Sequence, residues 1–231
     1  MTKFITQLTI ALSLAITPGF AQTSDSIHTE NLNDASVPIP VEIFGGNKAF
    51  NFQLIVSKQF TSQSRFGFFN VTNFTGNYKT IEQANDFFSQ SLLTGEIWKG
   101  ISLTAGLSAI GSSTTSISVR PTAGLQYLLA NRDFVIVVLP RFDLTQTFNF
   151  ETFSVFEYKP MLSKYWGFYS RLQALYNYNI QLSFHEVSSI YLRLGLSYKN
   201  LQFGVGANFD FYGPDYKDRK NFGVFIKTDL F

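Results

Sequence analysis

From Leu201 to Phe211 the chain alternates without a break. Leu201, Phe203, Val205, Ala207, Phe209 and Phe211 are apolar, and Gln202, Gly204, Gly206, Asn208 and Asp210 stand between them. A period of two puts each set on its own face of a β-strand. Ile190–Tyr198 repeats the pattern, with Ile190, Leu192, Leu194, Leu196 and Tyr198 opposing Tyr191, Arg193, Gly195 and Ser197. Only Lys199-Asn200 separates the two runs, which leaves room for an antiparallel hairpin and nothing larger. Runs of roughly nine to twelve residues suit a tilted crossing of a bilayer and exceed the common soluble strand.

A chain of such strands that stops on Asp229-Leu230-Phe231 resembles the small outer-membrane β-barrel proteins of Gram-negative bacteria, which commonly end on a Phe that closes the barrel. The resemblance implies that Phe231 is an assembly signal. It also implies outer-membrane lipid and the barrel-assembly machinery as partners. The phase of the last strand departs from that family. Asp229, Lys227 and Phe225 alternate back from Phe231, while Phe222, Val224, Ile226 and Leu230 occupy the other phase.

Composition excludes several classes. Charged residues make up 15% of the 231, against about 25% in an average domain, and no apolar run reaches the ~18 residues of a membrane-spanning helix. A formal charge of +2 without a Lys/Arg cluster gives no purchase on phosphates, so nucleic acid is not an expected partner. With no cysteine there is no disulfide and no thiolate metal site. No metal-ligand cluster, phosphate loop or G-x-S-x-G is present, so neither metal nor cofactor is expected.

Met1–Ala21 reads as a signal peptide: Lys3 is the positive start, Phe4–Ile16 the apolar stretch, and Gly19-Phe20-Ala21 the small-x-small cleavage site. Residues 22–40 are polar, lack aromatics and end in Val37-Pro38-Ile39-Pro40, a disordered or extended lead-in. The barrel is expected over 41–231. Period and turns mark strands at 50–60, 65–77, 88–98, 101–110, 117–129, 133–148, 151–160, 165–178, 190–198, 201–211 and 221–231. Val41–Phe44 supplies a partner before Gly45-Gly46-Asn47. Three of these segments, 65–77, 88–98 and 151–160, are aromatic but mixed in phase. The reading is an all-β, closed, antiparallel up-and-down transmembrane barrel of twelve strands, with ten as the alternative, since single-chain bacterial barrels have even counts. Counted back from a periplasmic C-terminus, the inner turns come out short and nearly all the outer loops longer.

The polar faces are mostly Ser, Thr, Gly, Asn and Gln. A soluble secreted β-barrel binding protein, the alternative, would carry dense charge there instead. An Arg facing lipid at mid-membrane costs about 2–4 kcal/mol, so the charged strand residues are placed inward. Arg120, Arg141, Lys159, Arg171, Arg193 and Lys227 then face Glu96, Asp143, Glu157 and Asp210, six basic groups against four acidic. Two functions follow: a filled, structural barrel in which these groups pair, or a narrow channel whose positive lumen favours small anionic solutes. Strand number does not decide, because about eight strands make a filled barrel and sixteen an open one. Catalytic material is scarce. His185, in a Ser-rich stretch with Ser183 and Ser189, would be the centre of an outer-leaflet lipid-acting enzyme, but the outer-membrane phospholipases carry Ser two positions after the His, where this chain has Val187. The bland reading is a surface histidine.

Overall fold

The computed structural model describes residues 39–79, 86–112 and 115–230. The expected signal peptide, the expected lead-in as far as residue 38 and the terminal Phe231 lie outside the described residues. Twelve strands follow in order: β1 (Ile39–Gly46), β2 (Ala49–Gln59), β3 (Phe66–Asn77), β4 (Asp86–Trp98), β5 (Ile101–Ser112), β6 (Thr115–Ala130), β7 (Phe134–Asp143), β8 (Phe150–Tyr158), β9 (Trp166–Asn179), β10 (Phe184–Tyr198), β11 (Leu201–Tyr212) and β12 (Lys217–Leu230). Each pairs antiparallel with the next, and β12 returns to β1, closing the barrel. The seam runs from Ile39↔Leu230 through Ile43↔Ile226 to Gly46↔Gly223. The barrel thus starts at Ile39, two residues before the expected Val41, because Ile39 and Pro40 find partners on β12. Pro40 is tolerated there because it stands next to the strand's first residue.

The end where β1 starts and β12 finishes is called inner here. Loop length separates the two ends less than expected. β5 ends at Ser112 and β6 begins at Thr115, whereas β8 and β9 at the inner end are joined by residues 159–165. Ladder hydrogen bonds continue past the point where the apolar alternation stops, so several strands outrun their sequence pattern.

Alternation sorts the side chains into an apolar exterior and a polar interior. Ile117, Val205 and Val224 are 63%, 59% and 62% exposed, while Arg141 is 1% exposed. Among the described residues most buried side chains are polar or charged. The three mixed-phase segments have a physical explanation. They are β3, β4 and β8, and their inward Phe69, Val71, Leu92, Phe153 and Val155 join Val137 and Leu139 of β7 in one buried apolar cluster. These strands are apolar on both faces because one face meets the exterior and the other meets the facing wall. A second buried group joins Phe44 of β1, Tyr169 of β9 and Phe225 of β12. At β4–β5 and β10–β11 glycines let neighbouring backbones approach with no side-chain bulk between them. A Cβ at Gly106 would collide with the Ser91 carbonyl of β4, and Gly195 and Gly204 face each other across β10 and β11 with no space for one. Opposite Pro140, which lacks an N–H, the β6–β7 pairing is interrupted between Gly124↔Arg141 and Tyr127↔Val138.

Gly106→Ala therefore forces backbone apart and should cut the yield of folded barrel sharply. Gly45→Ala, with nothing within 4 Å of the added carbon, should leave it unchanged. The fraction of protein migrating as the compact form on unheated gels reads both.

Candidate functional site

The lumen holds the chain's chemistry. At mid-height Glu42 of β1 reaches two arginines three and four strands away, on β10 and β9: Arg193 Nε donates to Glu42 Oε1 at 2.9 Å, and Arg171 Nη2 lies 2.7 Å from Oε2. Arg193 Nη1 donates to Asn208 Oδ1 at 2.7 Å, and its guanidinium lies 4.2 Å from the centre of the Phe44 ring. Asn208 Nδ2 in turn donates to Asn51 Oδ1 at 3.0 Å. Gln53 Nε2 of β2 donates to Gln173 Oε1 of β9 at 2.9 Å. β2 and β9 stand nearly opposite each other in the strand order, so this bond crosses the lumen.

Three further clusters lie around it. On β6–β8, Arg141 bridges Asp143 and Glu151, with Nε to Glu151 Oε1 at 3.0 Å, and Arg120 Nη1 lies 3.3 Å from Asp143. Toward the inner end, Glu157 takes Lys227 and Lys159, each at 3.3 Å, and accepts the Tyr169 hydroxyl at 2.9 Å, while Lys227 also meets Asp229 at 3.1 Å. Toward the outer end, Arg219 holds Asp210 at 3.0 Å and Asp86 at 3.1 Å, and Ser189 and Tyr191 donate to Asp210. Breaking a buried ion pair by removing one partner typically costs about 3–5 kcal/mol.

The structure places Arg120, Arg141, Asp143, Glu157, Lys159, Arg171, Arg193, Asp210 and Lys227 in these clusters. Glu96 is elsewhere. Its carboxylate accepts the Gly100 N–H at 3.0 Å and caps the β4–β5 turn, away from every one of those cations. The expected excess of positive charge is absent as well. Glu42, Glu151, Asp86 and Asp229 enter on the acidic side and Arg219 on the basic, which brings the lumen close to balance. Glu42 was findable, because it stands between the apolar Val41 and Ile43 in the strand alternation. Arg219 fell in a segment read as loop.

His185 is buried, contrary to the surface position expected. Its ring stacks on Tyr216 with centres 4.2 Å apart. Nδ1 lies 2.9 Å from the Gly213 carbonyl, which only accepts, so Nδ1 donates, and Nε2 lies 3.1 Å from Ser188 Oγ. A bulge between His185 and Val187 brings Ser188 onto the same exterior face.

No family model matches the chain, and no curated protein matches it. Among solved structures, the KdgM porin in complex with disordered oligogalacturonate is similar at 12% identity and a TM-score of 0.46, covering 84% of this chain and 100% of that one. The NanC porin is similar at 12% identity and a TM-score of 0.46, covering 85% and 100%. Pseudomonas aeruginosa OprD is similar at 10% identity and a TM-score of 0.38, covering 89% and 65%. The barrel assignment rests on this chain's own strand pairing.

Glu42→Gln leaves Arg171 and Arg193 facing each other without their carboxylate. It should lower the stability of the folded barrel by about 3–5 kcal/mol, read as a lower urea midpoint for loss of the compact gel form. Pairing it with Arg171→Met should recover part of that loss.

Proposed function

We propose that the chain is an integral outer-membrane β-barrel, exported on a signal peptide removed after Ala21, with its lumen shut at mid-height by its own side chains. The inverted packing carries this reading: large apolar side chains cover the outside and ion pairs fill the inside. In water such an exterior is unfavourable, at about 25 cal/mol per Å² of apolar surface left wet. In a bilayer the same surface is at home and the closed ladder leaves no strand edge unpaired. A soluble barrel with this sequence would be inside out. The inner end then faces the periplasm, where the assembly machinery would meet the last strand.

The contacts across the lumen favour a filled, structural barrel, since every charged cluster contains its own counter-ions. A narrow channel is the second reading, favoured by the inner mouth. There a recess of about 270 Å³ is lined by Arg132, Lys159 and Lys199 with Asp229 as the acid, a setting for small anionic solutes. Enzymatic action on lipid at His185 is the weaker assignment. Both ring nitrogens are engaged and Tyr216 covers the ring, so His185 serves as a staple between β10 and the β11–β12 turn through Gly213 and Tyr216, with Ser188 holding the ring from its own strand.

The purified protein should partition with outer membranes and shift its gel position on heating. In a planar bilayer the unmutated protein should show no unitary steps, and the Gln53→Ala, Gln173→Ala double variant should begin to show them. Recovery as a soluble periplasmic monomer would end the membrane reading. Steady anion-selective steps from the unmutated protein would replace the filled barrel with the channel.

A further inference from the structure

One strip of the lumen is polar yet holds no charge pairs over much of its height. It follows β5, whose inward positions are Ser102, Thr104, Gly106 and Ser108. In register, Ser102 faces Gln126 of β6 and Glu96 of β4, Thr104 faces Thr94, and Ser108 faces Gln90. At about 3.3 Å per residue the strip runs close to 20 Å. Its inner end opens on a recess of about 240 Å³ that Thr94, Glu96, Ser102 and Gln126 help to line. Its upper end reaches Asp143, 3.4 Å from Ser108 Oγ, and through Asp143 the partly exposed Arg120.

Buried amides and hydroxyls nearly always have hydrogen-bond partners. Along this strip they do not. Both Gln90 side-chain atoms, Thr104 Oγ1 and Gln126 Nε2 are buried with no partner within the protein, and Gln90 itself is fully buried. Elsewhere in the lumen, orphaned atoms belong to side chains that bond through another polar atom, as Gln53 does through Nε2 to Gln173 and Asn149 through Nδ2 to Asn177, whereas Gln90 lacks a partner at both of its atoms. The orphaned groups are neutral donors and acceptors. Midway along the strip Gly106 contributes no side chain, and its register neighbours are the apolar Leu92 of β4 on one side and Thr122 of β6, which continues the polar row, on the other.

We propose that this strip binds a single file of small neutral hydroxylic molecules, water above all, and forms a water path from the inner mouth toward the outer end while the rest of the lumen stays shut. The inference rests on the membrane-barrel reading. A one-sided row of neutral amide and hydroxyl groups replaces hydrogen bonds of water but does not ring an ion with oxygens as a selectivity filter does, so the path passes water without ionic current. Glu96, which faces no lumenal arginine, stands at its inner mouth.

The test is osmotic shrinkage of proteoliposomes followed by light scattering, with ionic conductance measured on the same preparation. The unmutated protein should speed shrinkage over protein-free liposomes and show no unitary steps. Gln90→Leu and Thr104→Val keep side-chain size and remove the orphaned atoms of Gln90 and Thr104, leaving Gln126 in place. Each should lose most of that increment while keeping the heat-dependent gel shift and an equal or higher urea midpoint. Shrinkage no faster than in protein-free liposomes, for protein that is demonstrably inserted, overturns the water path and leaves the membrane barrel standing. So does a water flux that both variants retain. Failure to insert at all is the failure of the membrane reading instead, and the gel shift separates the two.

Discussion

The pairing of β1 with β12 is the contact on which everything else depends. Backbone N–H and C=O groups facing a bilayer have no water to bond, and a sheet with two free edges would leave a row of them unsatisfied. Eight residue pairs along the seam, from Ile39↔Leu230 to Gly46↔Gly223, remove both edges at once. With the ladder closed, side chains alone decide which solvent the surface prefers. The alternation that puts Leu, Val and Phe outside puts Arg, Glu and Gln inside with the same stroke.

What the inward residues then do is close the space they face. In a twelve-stranded barrel the walls need not touch. Here they do, because long inward side chains reach across. Phe69, Leu92 and Phe153 do so as an apolar cluster, Gln53 and Gln173 as a hydrogen bond, and Glu42 with Arg171 and Arg193 as an ion triad. Each arginine that a sequence reading would send into an open pore is instead held by carboxylates, so closure and charge neutralisation come from the same residues.

Much of this was legible beforehand. Strict alternation over 101–110 and 190–211 located strands, faces and a two-residue hairpin, because a lipid-facing exterior tolerates no polar interruption. The sequence was least readable where the interior is itself apolar. β3, β4 and β8 gave no clean phase, since Phe68 and Phe69, or Leu92 and Leu93, serve opposite faces of one strand. Pairing partners across the lumen were also invisible, as Glu42 and Arg193 are 151 positions apart and share no local pattern. Glu96 was mispaired for a simple reason: at the end of a strand a carboxylate can satisfy a turn N–H as readily as a distant cation. His185 was misread because a single bulge changes which neighbours share its face.

The claim most exposed to test is that facing walls meet at mid-lumen in the membrane. The chain has no cysteine, so introduced thiols report without background. Gln53→Cys with Gln173→Cys, inserted in bilayers and treated with a short bifunctional thiol reagent, should bridge β2 to β9 within one chain. Gln53→Cys with Asn73→Cys, neighbours in register on β2 and β3, serves as the positive control. Bridging of both pairs is the predicted result. Bridging of the control alone, with both thiols of the first pair reacting separately with a small water-soluble reagent, would mean an open lumen and contradict the account.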